Sequence, residues 1–270
     1  MEPKYFDIHS HVQFEAYDQD RDDVIARALE AGVYMMNVGT QKDTSIAAVE
    51  LAEKYQKEYK EKYPDGRDGG VYAAVAQHPT CVTETFDPQF YETLARKDVV
   101  KAIGECGLDY FRLETDTIEL QKKVFIEHIE LANKVNKPLM LHIRNGTTGP
   151  SAYQDAIDIL KAHARVKGDV HFFAGDWGIA KQFLDIGFTL SFTGVLTFTT
   201  DYDEVVRNIP LDMIMSETDC PYITPVPFRG KRNEPMHVRE VVKAIARIKN
   251  EDEEKVRVQL IANAQSVFNF

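Results

Sequence analysis

Apolar residues along this chain alternate between two periods. Short runs rich in β-branched and apolar side chains recur at residues 5–11, 34–39, 71–78, 99–106, 138–143, 169–174, 188–193 and 212–216, and each reads as a buried strand. Helical spacing fills much of the intervening sequence. Residues 22–31 set Val24, Ile25, Ala28 and Leu29 on one face. Residues 117–135 are expected to turn Leu120, Val124, Ile126, Ile129 and Leu131 inward, with Glu and Lys elsewhere. Residues 152–163, 179–186, 204–209 and 238–248 behave similarly, and 252–267 forms a last helix. Strands alternating with helices imply parallel strands joined by helical crossovers. Eight such strands in 270 residues predict an α/β fold: a single (β/α)₈ TIM barrel spanning 1–270 as one domain. The extra C-terminal helix is expected to pack outside it.

Two connections interrupt this rhythm. Residues 54–62 are a charged helix end running into the turn-rich segment Pro64-Asp65-Gly66-Arg67-Asp68-Gly69-Gly70. A proline-rich loop at 223–235 follows the last strand and would lie over the C-terminal face of a barrel. Three cysteines without CxxC spacing argue against a disulfide framework or a zinc ribbon and fit a reducing compartment. The N-terminus carries no long apolar segment, and no run approaches the length of a membrane span, so a cytoplasmic protein without membrane contact is expected. The sequence shows no heptad seam or apolar arm, which points to a monomer. A net charge of −11 excludes a generally basic nucleic-acid-binding surface. It leaves room for a nucleic-acid enzyme, because bound cations neutralise a carboxylate-rich site locally.

Candidate chemistry gathers at the ends of the strands. In Asp7-Ile8-His9-Ser10-His11, residues two apart share a face, so His9 and His11 are expected to project together, with Asp7 beside them. One imidazole there is most simply a core histidine bonded to a neighbour; two side by side call for a shared divalent cation. Glu105 ends a strand between Gly104 and Gly107, where it either bridges two cations or pairs with an arginine. His142 ends the fifth strand, with Arg144 two residues on; His171 lies in the sixth; Glu217 and Asp219 follow the eighth. Imidazole with carboxylate suits zinc and manganese, and carboxylate suits magnesium. The C-terminal ends of barrel strands are where active sites form.

Together, Asp7-x-His9-x-His11, Gly104-Glu105-x-Gly107-Leu108-Asp109-Tyr110, Leu141-His142-x-Arg144, His171 and Glu217-Thr218-Asp219-x-Pro221 resemble the TatD family of metal-dependent deoxyribonucleases, among the amidohydrolase-like metallo-barrels. His78-Pro79 and Arg229-Gly230-Lys231-Arg232-Asn233-Glu234-Pro235 extend the resemblance over nearly the whole chain. The resemblance implies two divalent ions (Mg²⁺, Mn²⁺ or Zn²⁺): one held by His9, His11 and Asp219, the other by His142 and His171, with Glu105 bridging. The chain departs from the family pattern in three places. His171-Phe172-Phe173-Ala174-Gly175 replaces the usual His-Cys-Phe-Ser-Gly; Asn145 follows Arg144 where an acidic residue is common; and Val12-Gln13-Phe14 lacks the usual Leu-Asp.

The implied activity is a 3′–5′ exodeoxyribonuclease on single-stranded or frayed DNA ends, hydrolysing the phosphodiester by two-metal activation of water. Asp219, Glu105 and Glu217 are the expected catalytic carboxylates, with Asp219 taking the water's proton and Glu217 and Asp7 steadying imidazoles. Arg144, Arg229 and Arg232 are expected to grip phosphates, as is His78, with Arg112 a weaker candidate. Of the aromatics near the mouth (Tyr110, Phe172, Phe173, Trp177 and Tyr222), Trp177 is expected to be a base-stacking platform and the others packing residues. Alternatives are hydrolysis of an amide or ester, for example an aminoacyl-tRNA deacylase, and a catalytically dead barrel kept for binding. Intact Glu105 and Asp219 argue against the last.

Overall fold

A computed structural model describes residues 3–62, 69–82, 86–112 and 117–270; most of the turn-rich segment at 64–70 therefore lies outside the described residues. Eight strands are present among the described residues: β1 Tyr5–Ser10, β2 Val33–Val38, β3 Val71–Val75, β4 Val100–Asp109, β5 Leu139–Arg144, β6 Gly168–Val170, β7 Thr189–Phe192 and β8 Ile214–Ser216. They pair in parallel and in sequence order. The sheet closes on itself at a seam between its first and last strands. There Ser10 bridges to Cys220, the Asp219 N–H donates to the His9 carbonyl (2.9 Å), and the His11 N–H donates to the Cys220 carbonyl (2.9 Å). Between and after the strands run α1 Arg21–Glu30, α2 Lys42–Lys62, α3 Pro88–Ala95, α4 Ile118–Val135, α5 Ala152–His163, α6 Trp177–Asp185, α7 Asp203–Asn208, α8 Val238–Lys249 and α9 Glu253–Phe268. This is the (β/α)₈ barrel the periodicity implies.

Strand alternation divides the core in two. Phe6, Ile8, Tyr34, Met36, Tyr72 and Met140 fill the barrel interior, while their neighbours Val33, Met35, Val71, Leu139 and Leu141 join the outer core under the helices. Helix α9 differs from expectation. Its Ala264 and Phe268 belong to the interior cluster, and Phe270 stacks on Phe6 with ring centroids 4.2 Å apart. The helix thus closes the N-terminal mouth of the barrel instead of lying outside the ring.

Several boundaries also shift. Strand β6 stops at Val170, because Phe172 turns to φ +44 immediately beyond His171. Residues 211–213 form a short 3₁₀ turn before β8. In α4 the buried stripe is Gln121, Val124, Phe125, His128, Ile129, Leu131 and Ala132; Leu120 faces solvent and Ile126 is half-buried, because the stripe is centred one residue later than expected. Helix α3 is not marked by the apolar pattern, yet its start is encoded. The Asp87 carboxylate accepts the Phe90 N–H (3.1 Å), and Pro88 occupies the first turn.

Candidate metal centre

Bulges in two strands aim the chemistry inward. Between Ile103 and Cys106, β4 carries one residue more than the facing stretch of β5, Leu139 to Leu141. Such an insertion re-aims the side chains beyond it. Glu105, Gly107 and Asp109 consequently turn inward, alternating with Cys106 and Leu108 in the outer core. Gly107 is required here: it sits at φ +142, and a Cβ would lie 2.1 Å from the His142 carbonyl oxygen. A similar register shift lies between Asp7 and Ser10 of β1. It separates His9 from Asp7, so Asp7 does not share the imidazole face. The Asp7 carboxylate instead accepts the Thr218 N–H (2.8 Å) and hydroxyl (2.5 Å), anchoring the chain that carries Asp219. Asp219 itself adopts φ +53, a left-handed conformation that aspartate tolerates.

The six expected ligands converge. Around one oxygen of Glu105, Oε2, lie His9 Nε2 at 3.4 Å and His11 Nε2 at 3.8 Å. Asp219 Oδ1 is 3.5 Å from His11 Nε2 and 4.0 Å from His9 Nε2, and the two imidazole Nε2 atoms are 3.2 Å apart. Around Oε1, the other oxygen, lie His142 Nδ1 at 2.7 Å, His171 Nε2 at 3.0 Å and His78 Nε2 at 3.2 Å. Donors that share one cation at about 2.0–2.2 Å are themselves spaced roughly 3.0–3.6 Å; three of the five spacings in the first group fall in that window and the other two are slightly wider, so His9, His11 and Asp219 could hold a cation after a small contraction. Its chemistry asks for one as well. His11 donates Nδ1–H to the Val38 carbonyl (2.8 Å), which in the neutral ring leaves a bare lone pair on Nε2. That lone pair faces two carboxylates in a buried site, an arrangement that needs positive charge between the donors.

Outer partners fix the rings. The second nitrogen of His142, Nε2, meets Asp109 Oδ2 at 2.9 Å, and His171 Nδ1 lies 3.3 Å from Glu217 Oε1. Ser191 donates to Asp169 Oδ2 at 2.5 Å and stands 3.0 Å from Glu217 Oε2, extending the carboxylate support behind His171. Asp109 had no assigned role; its place four residues beyond Glu105, on the same strand face, is the sequence signal for it. Burial would raise the Glu105 carboxyl, but His78 and His171, with hydrogen bonds from His142 and His171, hold it well below its ordinary value. Burial also opposes charge on His171, yet Glu217 and Glu105 hold its pKa well above that of a free imidazole. At His142, too, burial is outweighed by Asp109 and Glu105. Burial, reinforced by His171, lowers His9.

Other expected residues take different places. His78 stands inside the cluster: its Nδ1 accepts the Thr80 N–H (3.2 Å), which leaves the neutral ring's proton on Nε2, facing Glu105. Arg232 is committed to Asp20 (2.7 and 2.9 Å) and to the Ala16 carbonyl, against the buried Tyr17 ring. Trp177 is half-buried at the start of α6, packed on the outer core. Tyr110 and Phe173 are buried, and Phe172 is half-buried. Tyr222 is 53% exposed beside Asp219. The guanidinium of Arg144 lies over Phe111 and that of Arg229 over Phe198, both rings solvent-exposed. Neither ring was singled out in the sequence.

Known proteins resemble this chain over most or all of its length. A family described as TatD related DNase matches residues 6–269. A protein of Bacillus subtilis named uncharacterized metal-dependent hydrolase YabD is 36% identical, over 97% of this chain and 98% of its own. The similarly named YcfH of Escherichia coli K12 is 32% identical, over 90% and 87%. The crystal structure of YJJV, a TatD homologue from E. coli K12, superposes with a TM-score of 0.85 at 26% identity, covering both chains completely. With the match running from β1 into α9, this chain belongs to the TatD-related DNase family and is a metal-dependent hydrolase.

Proposed function

We propose that this protein is a two-metal exodeoxyribonuclease that removes nucleotides from the 3′ ends of single-stranded or frayed DNA. The observation that carries the proposal is the division of Glu105: one oxygen faces His9, His11 and, through them, Asp219, and the other faces His142 and His171. A carboxylate so divided fits the bridge between two cations. When bound, the cations would activate water and stabilise charge on the attacking and leaving oxygens. Asp219, whose side chain is 14% exposed, is held below its usual pKa against burial by His11 and His171, which keeps it ionised; in this reading it would accept the water's proton. Glu217 and Asp109 orient His171 and His142, and burial of the cluster excludes bulk water from these groups. Arg144 and Arg229 supply positive charge near the mouth of an otherwise acidic protein.

The test is cleavage of 3′-labelled and 5′-labelled single-stranded oligonucleotides with magnesium, manganese or EDTA, beside Asp219→Asn. Stepwise shortening from the 3′ end that needs metal and disappears in the variant is expected. No cleavage by metal-loaded protein would overturn the nuclease assignment and leave ester or amide hydrolysis, including tRNA deacylation, to be assayed.

A further inference from the structure

Two pairs of residues on the C-terminal rim of the barrel are built alike. Phe111, just beyond β4, is 50% exposed, and the guanidinium of Arg144 at the end of β5 lies 4.1 Å from its ring centroid. Phe198, beyond β7, is 44% exposed, and the guanidinium of Arg229, in the loop after β8, also lies 4.1 Å from its ring centroid. Each pair joins a phenylalanine from one strand's end to an arginine from the next. Neither guanidinium meets a carboxylate among the described residues, whereas Arg21, Arg96, Arg232 and Arg257 are neutralised by Asp18, Glu92, Asp20 and Glu254.

Both stacks are anchored. The Asp109 oxygen Oδ1 accepts the Phe111 and Arg112 N–H groups (2.9 and 2.8 Å), while Oδ2 meets His142, the ligand two residues before Arg144. Arg229 donates Nη1–H to the Thr224 carbonyl (2.8 Å), and Val226 N–H donates to Thr197 Oγ1 (2.9 Å), tying the loop after β8 to the turn that precedes Phe198. A guanidinium resting on an aromatic ring is held in one plane with N–H edges turned outward, and that fork matches two oxygens of a phosphate. Four of the exposed large apolar residues, Phe111, Phe198, Tyr222 and Val226, lie together on these rim loops, and apolar exposure that clusters marks a binding surface better than apolar exposure that is scattered. Uncompensated positive charge beside a cation centre, on a chain of net charge −11, is local complementarity to a polyanion.

We propose that Arg144–Phe111 and Arg229–Phe198 are two phosphate-gripping subsites flanking the β6 corner, so that the preferred substrate is a single strand several nucleotides long, held by two phosphates besides the one at the metal centre. The proposal rests on the nuclease reading above and names residues that set substrate length.

The experiment measures KM for thymidine oligonucleotides of two, four and eight nucleotides across a salt series, in wild type, Arg144→Gln, Arg229→Gln and the double variant. Binding of a labelled octamer in EDTA, followed by fluorescence anisotropy, gives a readout independent of turnover. In wild type, KM should fall with length. Each substitution should weaken octamer binding about tenfold and reduce the slope of log affinity against log salt by about 0.7, the value of one single-strand phosphate contact. Phe111→Leu should weaken binding as Arg144→Gln does, and Phe111→Tyr should restore it. A wild type that cleaves the dimer and octamer with equal KM, or a salt slope unmoved in the double variant, overturns the two-subsite proposal while the nuclease stands. A wild type that cleaves no oligonucleotide removes the nuclease reading itself.

Discussion

Asp109 shows how much one side chain can couple. It holds the turn of Phe111 through one oxygen and the imidazole of His142 through the other, and its carboxyl is held down at about 2: burial opposes this, but the His142 contacts and two backbone N–H groups outweigh it. Asp109→Asn keeps the shape and loses the charge. It should lower metal affinity and turnover by about 10–100-fold, checked by metal titration beside the oligonucleotide assay; unchanged affinity would refute this role. His128, on α4 behind the strand end that carries His78, gives a pH signature. It is buried, accepts the Gln77 N–H on Nε2 (3.0 Å) and donates Nδ1–H to the Val124 carbonyl (2.8 Å), so both ring positions are satisfied by the neutral form. Burial depresses its pKa to about 4. Below the unfolded value of about 6.5 the unfolded chain binds the proton and the folded one does not, so stability falls as pH drops from 6.5 toward 4. At pH 5 the loss is about 2 kcal/mol. Wild type should therefore lose about 2 kcal/mol more than His128→Gln between pH 7 and pH 5 in urea unfolding, and equal losses would count against it. At this scale the gathering of His9, His11, Glu105, His142, His171 and Asp219 in one cluster was legible because imidazoles and carboxylates at strand ends are chemically distinctive. Arg232 was not, because what occupies it is Asp20, at the far end of the chain and beyond any local pattern.

Strands and helices were legible where one period dominates, as in β2, β5 and α8. The failures have physical causes. Period-2 reasoning placed Asp7 with His9 because a sequence does not announce the bulge that separates their faces. Strand β6 was drawn through His171 because its apolar neighbours Phe172 and Phe173 look like strand, while the turn after His171 is stabilised from outside: the Phe172 N–H donates to Glu217 Oε1 at 2.7 Å. Close approach of β4 and β5 makes Gly107 intolerant of a side chain. Gly107→Ala must push back the His142 backbone, at a cost of about 2–3 kcal/mol. Because that backbone carries His142, a proposed metal ligand, turnover should fall more than the loss of folded protein explains. A variant with wild-type urea midpoint and wild-type turnover would contradict the reading of this contact.

At the scale of the molecule, the barrel stacks three zones: α9 closing one mouth, an apolar interior, and a buried polar cluster at the other mouth. Alternating periods foretold the barrel, but the position of α9 depended on which cavity remained open after closure, and no local pattern carries that. A folded state that binds cations the unfolded chain does not is stabilised by about 2.7 kcal/mol per site at a hundredfold excess over Kd. Manganese or zinc should therefore raise the melting temperature by on the order of 5–10 °C over EDTA-treated protein. Calorimetry showing no shift in protein that binds metal would contradict this. No helix among the described residues is long and apolar enough to cross a membrane.

The seam of the barrel gives this linkage a direction. His9 and His11 stand on its first edge and Asp219 on its last, where two backbone hydrogen bonds do the zipping. A cation held by both edges is a cross-link that closes a loop of roughly two hundred residues, and tying chain segments so distant constrains an opened barrel far more than a local contact would. Loss of the ion should therefore not loosen the protein evenly. It should unfasten one line, and the amides of His11 and Asp219 should exchange with solvent sooner than those at the β4–β5 junction. In that sense the same three side chains proposed to hold a cation for the reaction would also act as the latch of the fold, and starving the protein of metal would make it a barrel with an unlocked door.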